Sequence, residues 1–154
     1  MRVVVAVVGK PRDQGLAAAI HEYERRAARY WPLDVHEVRE ESAKSLAPAL
    51  VMEREGERLL AKVDEASSVV ACDAGGDRMT SEQFARWLQD EREKGRSVAF
   101  TIGGAFGLTP VLKGSASRRL ALAPWTLPHE IARLVLAEQL YRAGTIVRGE
   151  PYHK

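Results

Sequence analysis

The stretch Val98-Ala99-Phe100-Thr101-Ile102-Gly103-Gly104 indicates the fold class of this 154-residue chain. Its first five residues are almost wholly apolar, which is typical of a strand buried on both faces of a parallel sheet. The glycine pair then ends the strand. A second run of this kind, Val3–Val8, begins the chain and also stops at a glycine. Two such strands predict a sheet that is covered by helices on both faces.

The rest of the chain alternates between apolar runs and helical periodicity. Further strands are predicted at Leu33–Val38, Ser68–Asp73 and Leu120–Ala123. Helices are predicted at Leu16–Tyr30, Leu46–Val63, Thr80–Lys94, 110–117 and His129–Ala143, and a surface connection up to Ser45. Thr80 and Gln83 form a capping-box signature. The alternation predicts an α/β fold, a three-layer sandwich with a mostly parallel sheet, in one domain over residues 1–154.

The composition excludes several classes of protein. Hydrophobic residues make up 45% and charged residues 29%, with 12 glycines, 7 prolines and one cysteine. These values fit a globular domain and argue against collagen-like, disordered and disulfide-stapled chains. No apolar run approaches the ~20 residues that span a bilayer. The apolar start leads into a glycine and mixed charge, without a cleavage site, so we expect a first strand and a cytoplasmic protein with no membrane partner.

The charge is unevenly distributed although the net charge is only +2. Residues 78–154 hold 12 Lys and Arg against 7 Asp and Glu. A basic half is compatible with a phosphate-bearing partner. A solvated face with a random imbalance explains the same numbers, so charge alone leaves both interpretations open.

Several well-known site motifs are absent from the sequence. There is no Gly-x-x-x-x-Gly-Lys-Ser/Thr loop and no Gly-x-Gly-x-x-Gly after the first strand, which argues against P-loop hydrolysis and ordinary dinucleotide binding. Because His-Glu-x-x-His and Cys-x-x-Cys are also missing, we expect no metal site. Cys72 lies in an apolar strand, where core packing is the usual role of a lone cysteine.

Two segments near the carboxyl ends of predicted strands are candidate ligand loops. The glycines of Ile102–Leu108 would let a ligand approach the backbone, although a tight strand-to-helix turn has the same composition. Leu122–His129 is apolar, contains two prolines and is too irregular for a strand or helix. A stiff apolar loop with free backbone groups suits a flat heterocycle such as adenine. Ligands of open α/β sheets bind at this edge.

The C-terminal segment has a composition that suits nucleic acid. Arg148–Lys154 combines cations, a tyrosine and a histidine. Such residues can hold phosphate and stack on a base, although terminal residues are usually frayed. The preceding helix is apolar on more than one side, with Ile131, Leu134 and Val135 and also Leu136 and Leu140. A second apolar side is most simply covered by a partner subunit, which predicts a homodimer.

The chain as a whole resembles the RlmH family of SPOUT-class methyltransferases, which act on large-subunit ribosomal RNA. The resemblance runs along the full length and lies in the order and spacing of seven short motifs. These are Val8-Gly9-Lys10, Glu22-Tyr23-x-x-Arg26, Glu55-Gly56-Glu57-Arg58-Leu59-Leu60, Ile102-Gly103-Gly104-x-x-Gly107-Leu108, Thr126-Leu127-Pro128-His129, Glu138-x-x-Tyr141-Arg142-Ala143 and Pro151-Tyr152-His153-Lys154.

The resemblance implies a fold, a cofactor and a reaction. The implied fold has a C-terminal trefoil knot in about residues 70–154, and the implied assembly is a homodimer. S-adenosylmethionine would be the methyl donor. The implied substrate is 23S rRNA within the assembled ribosome, methylated at N3 of pseudouridine 1915. A SPOUT methyltransferase acting on tRNA, a ribosome-associated binding protein without catalysis and a flavodoxin-like nucleotide module are the alternatives.

The resemblance also implies where the cofactor lies. Carried over residue by residue, the implied cofactor-binding residues are Cys72, Gly103, Leu122, Ala123, Pro124, Trp125, Thr126 and Leu127. Cys72 and Trp125 depart from the smaller or aliphatic residues common in the family. The expected contacts there are largely with the backbone, so the cysteine should be tolerated, whereas Trp125 could reshape the pocket or pack over adenine or a partner subunit.

The implied reaction needs a proton acceptor, because N3 of a uracil-type ring carries a weakly acidic proton. We expect His153 to act as the base, and Arg142 or Arg133 to stabilise the developing anion. Glu138 lies four residues before Arg142, so the two could pair, either for catalysis or only as a structural ion pair. Tyr152 could stack on the target base or anchor the C-terminal segment. His129 could cap its helix.

Overall fold

Five parallel strands form a single sheet in the computed structural model, which describes residues 1–42, 44 and 46–154. Neighbouring strands follow the order β2-β1-β4-β3-β5. The strands are β1 (Val3–Val8), β2 (Leu33–Val38), β3 (Ser68–Asp77), β4 (Val98–Ile102) and β5 (Arg118–Leu120). Because all of them run in the same direction, their carboxyl ends meet at one edge of the sheet.

Five helices connect the strands, and polar side chains start three of them. The helices are α1 (Gln14–Ala27), α2 (Pro48–Leu60), α3 (Ser81–Glu93), α4 (Pro110–Ser115) and α5 (His129–Val147). Asp13 and Thr109 accept hydrogen bonds from the first turns of α1 and α4. The capping box of Thr80 and Gln83 at α3 is confirmed. None of these described helices has the length and apolar character needed to cross a membrane.

Two hydrophobic clusters pack on opposite faces of the sheet. The larger one contains alternate residues of β1 together with Trp31, which follows α1, and side chains of α3 and α5, among them Phe84, Leu136 and Leu140. The smaller one contains Ala6 and Val8 of β1 together with Leu59 of α2 and Leu112 of α4. The three-layer α/β sandwich is therefore confirmed, with a sheet that is parallel throughout.

The fifth strand begins two residues and ends three residues earlier than predicted. β5 covers Arg118–Leu120, whereas the apolar pattern predicted Leu120–Ala123. Parallel pairing with β3 engages the backbone, so it can use a charged segment, and the two arginine side chains form ion pairs with Asp77 and Asp73. β3 continues to Asp77 and α5 to Val147, both beyond the predicted ends. The predicted connection up to Ser45 lies partly outside the described residues.

The last helix packs closely against the first. A Cβ atom on Gly144 would lie 2.3 Å from Cγ of Tyr30, so only glycine allows this approach of α5 to the turn that follows α1. α3 packs along another side of α5. Much of the apolar surface of α5 is thus buried within one chain, whereas Ile131, Leu134 and Val135 remain half-exposed.

Arg133 forms a buried ion-pair network that ties α5 to α1 and β2. The residue is 4% exposed, and its guanidinium donates to Glu24 at 2.7 Å and to Glu37 at 2.8 Å. These two carboxylates compensate the positive charge of the buried guanidinium. Arg133 is therefore engaged in holding the fold, and the interpretation in which it stabilises a reacting base is not supported.

Replacing Arg133 by methionine should destabilise the protein by about 3 kcal/mol, because it leaves two carboxylates without their buried cation. Urea unfolding followed by circular dichroism measures the change. Arg25→Met is the matched control, since Arg25 pairs with Glu22 on the exposed side of α1 and should matter little. Equal effects of the two substitutions would contradict a structural role for the network.

Candidate functional site

A cavity of about 660 Å³ opens at the carboxyl edge of the sheet. Its walls come from the ends of β3 and β4 and from the segment between β5 and α5. The residues that line it are 72–74, 102–108, Lys113, Leu122, Ala123, 125–129 and Ala132. Its volume falls in the range of small-molecule and cofactor sites.

The glycine loop after β4 forms one wall of the cavity. A Cβ atom on Gly103 would lie 2.6 Å from the carbonyl carbon of Gly107, so the loop can close this tightly only with glycine. Gly107 has a φ of +81°, and its N–H donates to the carbonyl of Gly104 at 3.0 Å. The loop is therefore a compact turn that brings backbone close to the cavity.

Glu55 of α2 lies behind this loop, and sequence reasoning did not single it out for a role. The residue is 3% exposed, and a Cβ atom on Gly104 would lie 2.8 Å from its Oε1. Oε2 accepts from the backbone N–H of Glu41, whereas Oε1 has no hydrogen-bond partner among the described residues. Burial raises the pKa of this carboxyl. In the sequence, this glutamate is marked only as the first residue of the motif Glu55-Gly56-Glu57-Arg58-Leu59-Leu60.

The segment between β5 and α5 forms the facing wall. Leu122 and Leu127 pack against the larger hydrophobic cluster. Trp125 remains 79% exposed at the rim of the cavity. An apolar wall beside exposed backbone suits a flat heterocycle, as the sequence predicted.

Polar groups at the cavity floor are held by ion pairs. Asp73 accepts from Arg119 at 2.7 Å, and Nζ of Lys113 lies 3.7 Å away from its other oxygen. The hydrogen bond from Arg119 lowers the pKa of Asp73. Burial raises the pKa of the Cys72 thiol to about 12, so the thiol stays neutral and acts as a packing group.

The cavity brings together most of the predicted cofactor-binding residues. Cys72, Gly103 and every residue from Leu122 to Leu127 except Pro124 line it. Sequence reasoning missed Asp73, Lys113 and Ala132, because their contribution depends on how distant elements pack. In the described part of the chain, no three His, Cys, Asp or Glu side chains are grouped for a metal ion.

The four predicted catalytic residues, Glu138, Arg142, Tyr152 and His153, form a second group. Together with Glu82, which sequence reasoning missed, they are here called the tail cluster. Arg142 donates to Oε1 of Glu138 at 2.6 and 2.9 Å. Tyr152 donates to the same oxygen at 3.0 Å, and its ring lies 4.5 Å from that of Tyr141. Burial and the bond to Glu138 raise the pKa of Tyr152. The last residues are therefore ordered rather than frayed.

Both ring nitrogens of His153 have partners. Nδ1 lies 3.1 Å from a guanidinium nitrogen of Arg142, and Nε2 lies 2.7 Å from Oε1 of Glu82. A guanidinium only donates, so Nδ1 accepts and Nε2 carries the proton that is donated to Glu82. In this arrangement the basic nitrogen of His153 faces Arg142.

The tail cluster and the cavity are separate in one chain. Among the described residues, none beyond Ala132 lines the cavity. His129 does line it, and its Nε2 lies 3.8 Å from Glu40. No side-chain cap starts α5, which begins directly after Pro128, so the predicted capping role of His129 is wrong.

Solved structures with the same fold include two bacterial proteins. A probable methyltransferase from Bordetella pertussis aligns with a TM-score of 0.56 and 13% identity, over 93% of this chain and 94% of that chain. A probable methylase family protein from Haemophilus influenzae aligns with a TM-score of 0.55 and 15% identity, over 99% and 70%. At these identities the likeness concerns the fold alone.

Sequence relatives are much closer. "Ribosomal RNA large subunit methyltransferase H" of Gemmatimonas aurantiaca is 64% identical over 154 residues, and the protein of that name from Anaeromyxobacter sp. strain K is 46% identical. Both alignments cover all of this chain and all of the relative. The family model described as "Predicted SPOUT methyltransferase" matches residues 1–153. The resemblance predicted from the motifs is confirmed, and the chain belongs to the SPOUT methyltransferase family.

Proposed function

We propose that this protein is an S-adenosylmethionine-dependent methyltransferase that modifies N3 of a pseudouridine in 23S rRNA on the ribosome. The observation that carries the proposal is the 64% identity to a ribosomal RNA large subunit methyltransferase H over the whole of both chains. The cavity supports it, because the predicted cofactor residues converge there. A ribosomal substrate implies a cytoplasmic protein.

The walls of the cavity fit the proposed cofactor. Leu122, Leu127 and Ile102 offer apolar contacts for an adenine ring, and the backbone of the glycine loop offers polar ones. When bound, S-adenosylmethionine would supply a methyl group on a positively charged sulfur, which keeps the electron pair of the broken bond and becomes a neutral thioether. The residues of this chain therefore have to align the acceptor nitrogen and remove its proton.

The tail cluster contains the groups that this proton transfer needs. Nδ1 of His153 can take the N3 proton once Arg142 turns away from it. Arg142 can then stabilise the negative charge that develops on the base. Glu138 and Tyr152 hold Arg142 in place before the reaction, through the shared oxygen of Glu138. His153 is thus the proposed base and Arg142 the proposed anion-stabilising cation.

Assembly as a homodimer and a C-terminal trefoil knot in about residues 70–154 complete the proposal. Apolar side chains remain at the surface around the cavity and on α5, which favours burial against a second copy. They are Phe106, Trp125, Ile131, Leu134 and Val135. All residues that line the cavity lie between 72 and 132, inside the proposed knot region.

S-adenosylmethionine should bind without the last six residues. Among the described residues, none beyond Ala132 lines the cavity. Calorimetry on a chain lacking 149–154 should therefore give a Kd within about threefold of the full-length value. The corresponding change in binding free energy is smaller than the 1.4 kcal/mol of a tenfold change. At one hundred times Kd the cofactor should stabilise the full-length protein by about 2.7 kcal/mol, which a thermal melt detects. If S-adenosylmethionine does not raise the Tm, the protein is a ribosome-associated binding protein without catalysis, and the enzymatic proposal fails.

His153→Ala and Arg142→Ala should each lower methyl transfer at least ~100-fold while leaving cofactor affinity unchanged, since a positioned base contributes that much or more. The assay is transfer of labelled methyl groups to purified ribosomes, with the product nucleoside identified by mass spectrometry. Arg148→Ala is the control, because Arg148 is also an arginine near the chain end but packs over the ring of Tyr30, outside the tail cluster. Normal rates in both variants would show that the tail cluster does not act in the reaction. If the wild-type protein methylates tRNA but leaves ribosomes unmodified, the substrate is tRNA and not 23S rRNA.

The homodimer should be visible by size-exclusion chromatography with light scattering. Leu134→Glu places a charge on the half-exposed side of α5 and should yield monomers. Val111→Glu is the matched control, since Val111 is 81% exposed on α4. A monomeric wild-type protein, or a dimer that tolerates Leu134→Glu and dissociates with Val111→Glu, would contradict this interface.

A further inference from the structure

Glu55 of α2 places a buried carboxyl group against the glycine loop of the cavity. Its residue is 3% exposed, and a Cβ atom on Gly104 would lie 2.8 Å from Oε1 and 3.2 Å from Oε2. Both carboxyl oxygens therefore lie close to the backbone of Gly104. Gly104 lines the cavity, whereas Glu55 does not. This one glycine thus touches both the carboxyl and the cavity.

The carboxyl of Glu55 is only partly hydrogen-bonded. Oε2 accepts from the backbone N–H of Glu41 at 3.1 Å, and Oε1 has no partner among the described residues. Buried carboxylates are normally paired with a cation or fully hydrogen-bonded, because an isolated buried charge is costly. A buried acid with a free oxygen beside a cavity is therefore a candidate for a role toward the ligand.

The charged groups around Glu55 oppose its ionisation more than they favour it. Glu40 and Glu41, which follow β2, add negative charge, and Arg58 of α2 adds positive charge. Arg58 is already bonded to Glu41 and to the carbonyl of Arg39. Burial has the largest effect, so the pKa of Glu55 is raised. A positive charge brought close to the carboxyl would favour release of its proton.

The charge of Glu55 is compensated less than that of the other acid at the cavity. Asp73 lies on the cavity floor, where Arg119 and Lys113 offset its negative charge. Lys113 and His129 also line the cavity and can add only positive charge. Glu55 has a backbone N–H as its partner and not a cation. When ionised, it therefore makes the glycine-loop wall attractive to a cation.

The methyl donor of the proposed function and its product differ in charge at one atom. S-adenosylmethionine has a positively charged sulfur, whereas S-adenosylhomocysteine has a neutral thioether. Their adenosine, α-amino and α-carboxyl groups are the same. A sphere of 660 Å³ is roughly 11 Å across, so a charge near its centre lies about 10 Å from a carboxyl behind the wall. At an effective dielectric constant of about 20, attraction over this distance changes a binding constant by about tenfold.

We propose that Glu55 makes the cavity select the positively charged methyl donor over S-adenosylhomocysteine, by attracting the charged sulfur across Gly104. This selectivity rests on the proposed function, because it presupposes that the cavity binds the methyl donor. The cation stabilises the ionised carboxylate, so Glu55 releases a proton when the donor binds. After methyl transfer the sulfur keeps the electron pair of the broken bond and is neutral. Glu55 then no longer attracts it, which favours release of the product.

Calorimetry on the full-length protein with each of the two ligands tests the selectivity directly. Glu55→Gln removes the charge but keeps an oxygen that can accept from the N–H of Glu41. At about pH 8, well above the ordinary pKa of a glutamate, it should weaken S-adenosylmethionine about tenfold, which is 1.4 kcal/mol. The Kd of S-adenosylhomocysteine should stay within about twofold. Glu57→Gln is the matched control, because Glu57 is exposed on the same helix, and it should change neither Kd.

The wild-type protein provides a test without any change to Glu55. Between about pH 8 and about pH 5 the carboxyl takes up its proton, so the preference for S-adenosylmethionine should fall with the pH. Calorimetry in buffers of different ionisation enthalpy should show a proton released with S-adenosylmethionine and none with S-adenosylhomocysteine. Protonation of His129 would also repel a cation in this range. His129→Gln should therefore keep most of the pH dependence, and Glu55→Gln should lose it.

The outcomes distinguish a failure of this selectivity from a failure of the proposed function. If Glu55→Gln weakens both ligands equally, the carboxyl only supports the glycine loop and the proposal is wrong. It is also wrong if the wild-type preference does not change with pH and no proton is released, a result that does not require Glu55→Gln to fold. If the wild-type protein does not bind S-adenosylmethionine at any pH, the proposed function itself fails.

Discussion

Parallel pairing of the five strands is the constraint on which the candidate site depends. Since every strand points the same way, the loops that follow β3, β4 and β5 meet at one edge. These loops come from segments up to 50 residues apart, between Cys72 and Leu122. They form one cavity because parallel strands bring all of these loops to the same edge of the sheet. The glycine loop can fold tightly there since Gly103 and Gly107 pack without side chains.

The two arginines of α5 show how burial determines the use of a charge. Arg133 is buried between Glu24 and Glu37 and links three elements of the fold. Arg142 lies two and a half turns further along, is partly open to solvent and touches both Glu138 and His153. An arginine enclosed by two carboxylates has little freedom to meet a substrate. Arg142 instead has partners on the C-terminal segment, where it contacts His153 and the ring of Tyr152.

Order at the chain end follows from the same contacts. Terminal residues fray unless they are tied down, and here Tyr152 and His153 are tied by Glu138, Arg142 and Glu82. These partners come from α5 and from the first turn of α3. The polar series that orders the chain end also holds the Gln139 amide between Ser81 and Glu138.

Much of the architecture is readable from local sequence, because burial on both faces and helix capping leave local patterns. The apolar runs of β1 and β4, the capping box at Thr80 and the glycine loop at Gly103 are where the sequence places them. Motif resemblance also marked a set of candidate cofactor-binding residues, and all but Pro124 line the cavity. Other features depend on pairing between distant segments, which has no local signal. Only the tertiary structure shows that β5 uses Arg118 and Arg119, that Arg133 is enclosed by carboxylates, and that Ser81 and Gln139 meet across two helices.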